Sequence, residues 1–289
     1  MSVQNQPIMH KVGRLELESV VQNPSHALGL VGPGGIGKTT LAKWLVSEIT
    51  QQPITKLEQY PYFKLIEPEG NNLTIDQIRG LTDFLKLKTT GTTTLRRFVI
   101  IEHADAMTLE AQNALLKSLE EPPTDTVIIL TFSNPRQLLP TILSRIQTIT
   151  IRAPGRAQLE KLADAEPKNF EQVYVLGGNL PGLLYALLND EKSHPLVEAV
   201  NQARELLQLS TFDRLARLDS LAKDRTKAIE LTQALLRMAE VSIARAAAAH
   251  DNKTVRRWQK VLTAAHDAQN ALLVNAQTKL VVLNLLLHI

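Results

Sequence analysis

Residues 29–40 of this 289-residue chain read Gly-Leu-Val-Gly-Pro-Gly-Gly-Ile-Gly-Lys-Thr-Thr. The apolar run at 27–31 predicts a buried strand, and the apolar residues within 41–49 recur at helical spacing. Residues 32–39 fit the pattern G-x-x-x-x-G-K-[ST] at every fixed position, between the strand and the helix that this phosphate-binding loop requires. The stretch therefore predicts an α/β fold in which the loop opens the first helix after a sheet strand.

The chemistry of this loop follows from its residue types. Glycines let the backbone wrap a phosphate with its N–H groups pointing inward, and the helix N-terminus adds partial positive charge. Lys38 is expected at the β- and γ-phosphates of ATP, and the Thr39 hydroxyl on Mg²⁺. A chance glycine-rich turn before a helix is the alternative interpretation. The predicted ATP-binding residues are Gly32, Pro33, Gly34, Gly35, Ile36, Gly37, Lys38, Thr39 and Thr40.

Composition narrows the class of protein. The apolar fraction of 44% and the charged fraction of 21% are typical of a soluble globular protein. A net charge of +3 makes no general case for nucleic acid, so any basic surface must be local. The chain has no cysteine, which excludes disulfides and cysteine-ligated zinc. No segment reads as a signal peptide or a membrane span, so we expect a cytoplasmic protein without a membrane partner.

Apolar strands alternate with helical patterns as far as residue 151, which predicts a parallel sheet covered on both faces. From residue 158 onward only helical patterns are found. The predicted strands are 27–31, 62–66, 98–101, 127–132 and 148–151, with helices at 15–22, 75–85 and 109–119 and a short helical piece at 142–145. The predicted domains are a nucleotide-binding domain (1–152), a helical lid (153–194) and a helical collar for oligomerisation (195–289).

A second strand should supply the rest of the nucleotide site. Phosphate-loop proteins hold Mg²⁺ with an acid that follows such a strand, often beside a glutamate that orients the attacking water. Glu102 follows strand 98–101 and is the expected Mg²⁺ ligand, unless it merely ends the strand at the surface. His103 stands where the water-orienting carboxylate is expected. An imidazole can act as a base but lacks the carboxylate's charge, so we expect ATP binding with slow or absent hydrolysis.

Several segments resemble one family. Residues 111–123, Ala-Gln-Asn-Ala-Leu-Leu-Lys-Ser-Leu-Glu-Glu-Pro-Pro, are similar to a segment of the clamp-loader subunits of bacterial DNA polymerase III. Residues 139–145, Leu-Pro-Thr-Ile-Leu-Ser-Arg, resemble the family's Ser-Arg-Cys motif, with Ile146 in place of the cysteine. Residues 25–28 and 76–81 also match. The resemblance is closest to the delta-prime type.

The resemblance implies an AAA+ module, a lid, and a collar through which five subunits form an open ring with ATP at the interfaces. Arg145 occupies the family's arginine-finger position and is expected to act in trans on a neighbouring ATPase subunit; a surface arginine or local salt bridge is the alternative. The implied partners are the ATPase and delta-type subunits, the sliding clamp and primed DNA. Arg79, with Lys86 and Lys88, is a candidate for contacts to the DNA backbone, although a solvated helix face would look the same.

The departures from the family leave three hypotheses open. His103 replaces a carboxylate, Pro181 stands where motor subunits carry a lid arginine, and the zinc-binding insertion of many relatives cannot bind metal here. These departures favour a delta-prime-like subunit with weak or absent hydrolysis of its own. The alternatives are a self-sufficient AAA+ ATPase, such as a motor clamp-loader subunit or a helicase-like relative, and a nucleotide-gated scaffold with no DNA role.

Overall fold

A computed structural model describes residues 7–70, 72–90, 95–163, 167–189, 195–274 and 276–289 of the chain. The chain divides into two compact units, Met1–Gly155 and Arg156–Ile289. The boundary predicted at 194/195 adjoins residues 190–194, which lie outside the described residues, so the lid and collar division stays a prediction. None of the described helices has the length and apolar composition that a membrane span requires.

The first unit is built on a five-stranded sheet in which each pair of neighbouring strands is parallel. The strand order is β2-β3-β4-β1-β5, so β1 lies between β4 and β5. The predicted parallel α/β sheet and the helical region after it are confirmed. The strands are β1 (Ala27–Val31), β2 (Phe63–Ile66), β3 (Arg97–Ile101), β4 (Thr126–Phe132) and β5 (Gln147–Thr150).

Helices cover both faces of this sheet, which explains why its central strands are mostly apolar. The buried polar residues in them are Arg97 in β3 and Thr126 and Thr131 in β4. Every residue of β3 and β4 is buried. On one face, α3 and α4 pack on alternate strand residues such as Val99 and Ile128. The helices of this unit are α1 (Lys11–Gln22), α2 (Lys38–Thr50), α3 (Ile75–Leu85), α4 (Leu109–Glu120) and α5 (Pro140–Leu143).

Two helix boundaries bear on the site. Thr74 precedes α3 and forms a capping box with Gln77. The helix predicted at 142–145 is wrong in its bounds, because α5 starts at Pro140, whose ring favours the first helical turn, and ends at Leu143. Arg145 therefore follows the helix instead of lying in it.

The second unit is helical throughout its described residues. Its two longest helices, α12 and α13, pack along each other as a hairpin whose turn is residues 249–251. The helices are α6 (Arg156–Leu159), α7 (Pro167–Gly177), α8 (Pro181–Leu188), α9 (Pro195–Gln208), α10 (Thr211–Ala216), α11 (Leu218–Ala222), α12 (Arg225–Ala248), α13 (Asn252–Leu273) and α14 (Thr278–His288).

Candidate functional site

The phosphate-loop sequence joins β1 to α2 at the carboxyl ends of the parallel strands, where α/β proteins place their ligands. Gly37 caps α2 with a φ of 91°, a left-handed conformation that favours glycine. A Cβ on Gly32 would lie 3.0 Å from the carbonyl oxygen of Ile151. The two positions require glycine for different reasons, one for conformation and one for space.

Lys38 is buried at the start of α2, with 6% of its surface exposed. Its Nζ donates to the carbonyl oxygens of Gly32 (2.8 Å) and Pro33 (3.0 Å) and to Ser133 Oγ (3.0 Å). Burial lowers the pKa of the Lys38 amine to about 8, although the carboxylates of Asp105 and Glu102 act to raise it. The amine is thus held inside the loop, and the loss of hydration destabilises its charged form relative to its neutral form.

The two predicted Mg²⁺ ligands contact each other. Thr39 Oγ1 donates a hydrogen bond of 2.5 Å to Glu102 Oε1. A hydroxyl and a carboxylate are the hard oxygen donors that suit Mg²⁺, which commonly takes one or two protein carboxylates and substrate phosphates. Within the described part of the chain, no three His, Cys, Asp or Glu side chains gather as a metal cluster. The donor set therefore fits a nucleotide-linked Mg²⁺ better than an all-protein metal cage.

His103 lies directly after Glu102, with 53% of its side chain exposed and Nε2 3.9 Å from Glu102 Oε1. Its φ of 49° is left-handed, and its backbone N–H donates to Thr131 Oγ1 at 3.2 Å. The turn thus holds the imidazole beside the candidate Mg²⁺ ligand. It introduces no second carboxylate at this position.

Two polar residues of this edge were missed in the sequence reasoning. Asp105 Oδ2 accepts hydrogen bonds of 2.8 Å from the backbone N–H groups of both Ser133 and Asn134, just beyond β4. Ser133 in turn receives the bond from Lys38. For Ser133 a signal was available, because it follows a predicted apolar strand and parallel strands end at one edge. Asp105 fixes the backbone that presents Ser133.

Arg145 is placed by contacts within its own unit. Nη2 lies 2.8 Å from Glu120 Oε1, at the end of α4, and Nη1 donates to Thr141 O at 2.9 Å. Nη1 also lies 3.3 Å from Ser144 Oγ. About a third of the Arg145 side chain is exposed. None of these three partners belongs to the phosphate loop, so these contacts do not tie Arg145 to the chain's own candidate nucleotide site.

Gln112, also missed, connects α4 to the segment that leads to Arg145. It is 4% exposed. Its Nε2 donates to Met107 O (3.2 Å) and Gln137 O (2.9 Å), and its Oε1 accepts from Leu139 N–H (2.7 Å). Three hydrogen bonds from one buried amide hold this connection in place.

The proposed DNA-backbone residue Arg79 is exposed on α3 and pairs with Asp76 at 3.2 Å. Lys86 likewise pairs with Asp83 at 2.9 Å. Exposed pairs of this kind are weak, so neither prevents a phosphate from competing for the cation. The DNA role of these residues stays a prediction.

Pro181 is the first residue of α8 and is buried. Its ring suits the first helical turn and supplies no donor. Position 181 therefore starts a helix in the second unit, and its side chain supplies no cation that could sense a nucleotide.

Comparison with known proteins identifies the family to which the chain belongs. The model of the family described as "DNA polymerase III, delta subunit" matches residues 10–155. The chain belongs to this family. The matched residues include both the phosphate loop and Arg145, which confirms the resemblance found in the sequence.

Curated relatives agree with this membership. DNA polymerase III subunit delta' of Pseudomonas aeruginosa is 34% identical over 205 residues, covering 64% of this chain and 62% of that protein. DNA polymerase III subunit delta' of Bacillus subtilis is 31% identical over 176 residues, covering 61% of this chain and 45% of that protein. The chain thus spans less than two thirds of the length of these relatives.

A solved structure supports the fold alone. The Thermotoga maritima protein described as DNA polymerase III gamma subunit-related superposes with a TM-score of 0.50 at 20% identity, covering 93% of this chain and 97% of that one. The predicted parallel sheet followed by a helical region is confirmed at this level.

Proposed function

We propose that this chain is a delta-prime-like subunit of a clamp loader, which helps place a sliding clamp on primed DNA and supplies Arg145 in trans to a neighbouring ATPase subunit. Membership of the DNA polymerase III delta family supports the clamp-loader role. The observation that carries the finer proposal is the placement of Arg145. Its side-chain contacts reach α4 and its own segment, and a third of the side chain is left exposed. A fixed guanidinium of this kind can offset charge that develops on a γ-phosphoryl group.

The chain's own nucleotide site binds ATP and Mg²⁺ in this proposal. Lys38 binds phosphate oxygens, Thr39 and Glu102 hold Mg²⁺, and Mg²⁺ when bound neutralises phosphate charge. Hydrolysis is slow, because Asp105 is engaged by two backbone N–H groups and Glu102 by Thr39. His103 is then the side chain left beside the site to act as a base, without a carboxylate's charge.

The partners follow from this role. Residues 153–194 are proposed to form the lid and residues 195–289 the collar. The collar is proposed to join this chain to ATPase and delta-type subunits in a hetero-oligomeric ring. ATP bound to this chain stabilises the folded subunit by linkage. Primed DNA and the clamp are contacted within the assembled ring.

The test is the DNA- and clamp-stimulated ATPase rate of a loader reconstituted with the organism's other subunits, with wild type or Arg145→Ala in the ring. We expect a drop of roughly tenfold or more with assembly intact, because arginine fingers contribute large factors to phosphoryl transfer. Arg136→Ala is the matched control, since Arg136 is also an exposed arginine of the first unit. Equal rates for all three rings would remove the trans role.

A second candidate is a self-sufficient AAA+ ATPase. The Thr39–Glu102 hydrogen bond and the Lys38 amine held within the phosphate loop favour it, because a working ATPase needs the same groups. Turnover by the isolated chain distinguishes the two candidates. Brisk hydrolysis without partners supports the second, and ATP binding without turnover supports the first.

A further inference from the structure

The first three turns of α13 carry four basic side chains at i, i+3, i+4 and i+7. This α13 basic face consists of Lys253, Arg256, Arg257 and Lys260, all of them exposed. Residues at this spacing lie along one side of a helix. Seven residues of helix span about 10 Å, so the four charges form a short cationic ridge.

The ridge has no internal charge compensation among the described residues. Positions three and four residues away from each cation hold no Asp or Glu, and no ion pair of these four side chains is found there. Arg257 makes one long contact, from Nη2 to Leu207 O at 3.5 Å. The acid nearest in sequence, Asp251, caps the helix by accepting from the N–H and hydroxyl of Thr254.

This arrangement works against helix stability. Like charges three and four residues apart repel each other, and a cation at Lys253 in the first turn opposes the helix macrodipole. On the α12 side, the last turn adds a further exposed cation, Arg245. Residues 195–289 hold 13 Lys and Arg against nine Asp and Glu, so this block carries the excess positive charge of the chain. A polyanionic ligand would remove the repulsion.

Three kinds of polyanion could bind the α13 basic face: an acidic protein, an anionic membrane or a nucleic acid. The residues around this face favour a nucleic acid. Exposed large apolar side chains, which anchor protein interfaces, are absent from the described residues between Phe212 and Val274. The opposite side of α13 is buried against α12 through residues such as Ala265 and Ala268, so it is not free to enter a membrane. A nucleic-acid strand presents one phosphate per 3.4 Å of axis, so a ridge of about 10 Å faces roughly three phosphates.

We infer that the α13 basic face binds the phosphate backbone of DNA without reading its sequence. The ligand is a run of about three phosphates, contacted by lysine and arginine charges on a rigid helix. The site lies in the second unit and does not depend on the nucleotide site or on Arg145.

The test measures binding of the full chain to short labelled duplex and single-stranded DNA by fluorescence anisotropy across a salt series. The test variant is Lys253→Gln/Arg256→Gln/Lys260→Gln. The control, Lys223→Gln/Lys227→Gln/Lys279→Gln, removes the same charge from other exposed positions of the same unit. Unfolding midpoints check that both variants are folded, and Lys253→Arg/Lys260→Arg keeps the charge.

Neutralising three phosphate contacts should make the slope of log affinity against log salt shallower by about 2.7. Between about 50 and 200 mM salt, wild type and the control should lose about 40-fold more affinity than the test variant. The arginine variant should match wild type, and whichever DNA form shows the larger change is the form bound. Equal slopes for the test and control variants would overturn the site. If the test and control variants differed in their binding of labelled polyglutamate but not of DNA, the ligand would be an acidic protein and the DNA proposal would be wrong.

Discussion

Arg145 and Glu120 form an ion pair that joins the segment after α5 to the end of α4, with 2.8 Å between Nη2 and Oε1. Thr141 O and Ser144 Oγ take two further contacts from Nη1. A guanidinium has five N–H donors, so two remain for a phosphate. Both side chains are a third or more exposed, and such pairs add little to stability. The main effect of the ion pair is therefore to orient the Arg145 side chain.

Replacing Glu120 with alanine should therefore reduce the stimulated ATPase rate of a reconstituted loader while leaving the unfolding midpoint of the chain unchanged. We expect a loss of about tenfold, because small misplacements of a catalytic group are costly. Glu120→Gln should recover part of the rate, since its amide oxygen can still accept from Arg145. The measurement is the steady-state rate with clamp and primed DNA.

Glu121→Ala is the control, because this neighbouring glutamate is also exposed. Combining Glu120→Ala with Arg145→Ala should be no worse than Arg145→Ala alone, since the two residues act as one unit. Additive losses would show that Glu120 acts through some other group.

The lowered pKa of Lys38 predicts how ATP affinity depends on pH. In the free protein the amine loses its proton near pH 8, and the phosphates favour the charged form, so binding above that pH takes up a proton. Affinity should be flat with respect to this group below pH 8 and fall by up to about tenfold per unit above it. Titration calorimetry from pH 7 to about 9.5 in buffers of different ionisation enthalpy measures both affinity and proton uptake.

Lys38→Met removes the amine and should bind ATP weakly at every pH, without this dependence. The same burial penalises the charged amine in the nucleotide-free fold, so the Lys38 contribution to stability becomes less unfavourable as pH rises from about 8 towards 10.5. Wild-type affinity that stays constant to pH 9.5 would contradict the assignment of Lys38 to phosphate.

The sheet and half of the site could be predicted because each depends on local pattern. Continuous apolar runs identify strands buried on both faces, and the glycine loop places Lys38 and Thr39 at their carboxyl edge. Glu102 follows another such strand, so its contact with Thr39 is a consequence of parallel topology.

The remaining contacts leave no periodic signal in the chain. Gln112 binds the backbone of Gln137, and Asp105 binds the backbone of Ser133, each more than 20 residues away. Because the acceptors and donors are backbone groups, no complementary side chain marks them in the sequence. The Glu120 partner of Arg145 is likewise set by how α4 and α5 pack.

The Thr39 hydroxyl should determine how strongly Mg²⁺ promotes ATP binding. Thr39→Val removes this ligand at nearly constant volume and should reduce the gain in affinity on adding Mg²⁺ by about tenfold, comparable to loss of one charge-assisted contact. Thr39→Ser should keep the gain. Thr124→Val is the matched control, since Thr124 is exposed in the same unit and lies outside the phosphate loop. Calorimetry with and without Mg²⁺ compares the four proteins; an unchanged Mg²⁺ effect in Thr39→Val would show that Thr39 is not a ligand.

Hydrolysis by the isolated chain tests whether His103 limits turnover. His103→Glu supplies the missing carboxylate beside Glu102 and should raise the single-turnover rate by about tenfold or more, since positioned bases contribute factors of this size and larger. His103→Gln is the control, because it matches glutamate in size without its charge, and both must adopt the left-handed backbone at this turn. A rate that rises equally in both variants would implicate relief of the turn instead of base chemistry. Rapid hydrolysis by wild type would show that the imidazole already suffices, and the chain would then fit the self-sufficient ATPase.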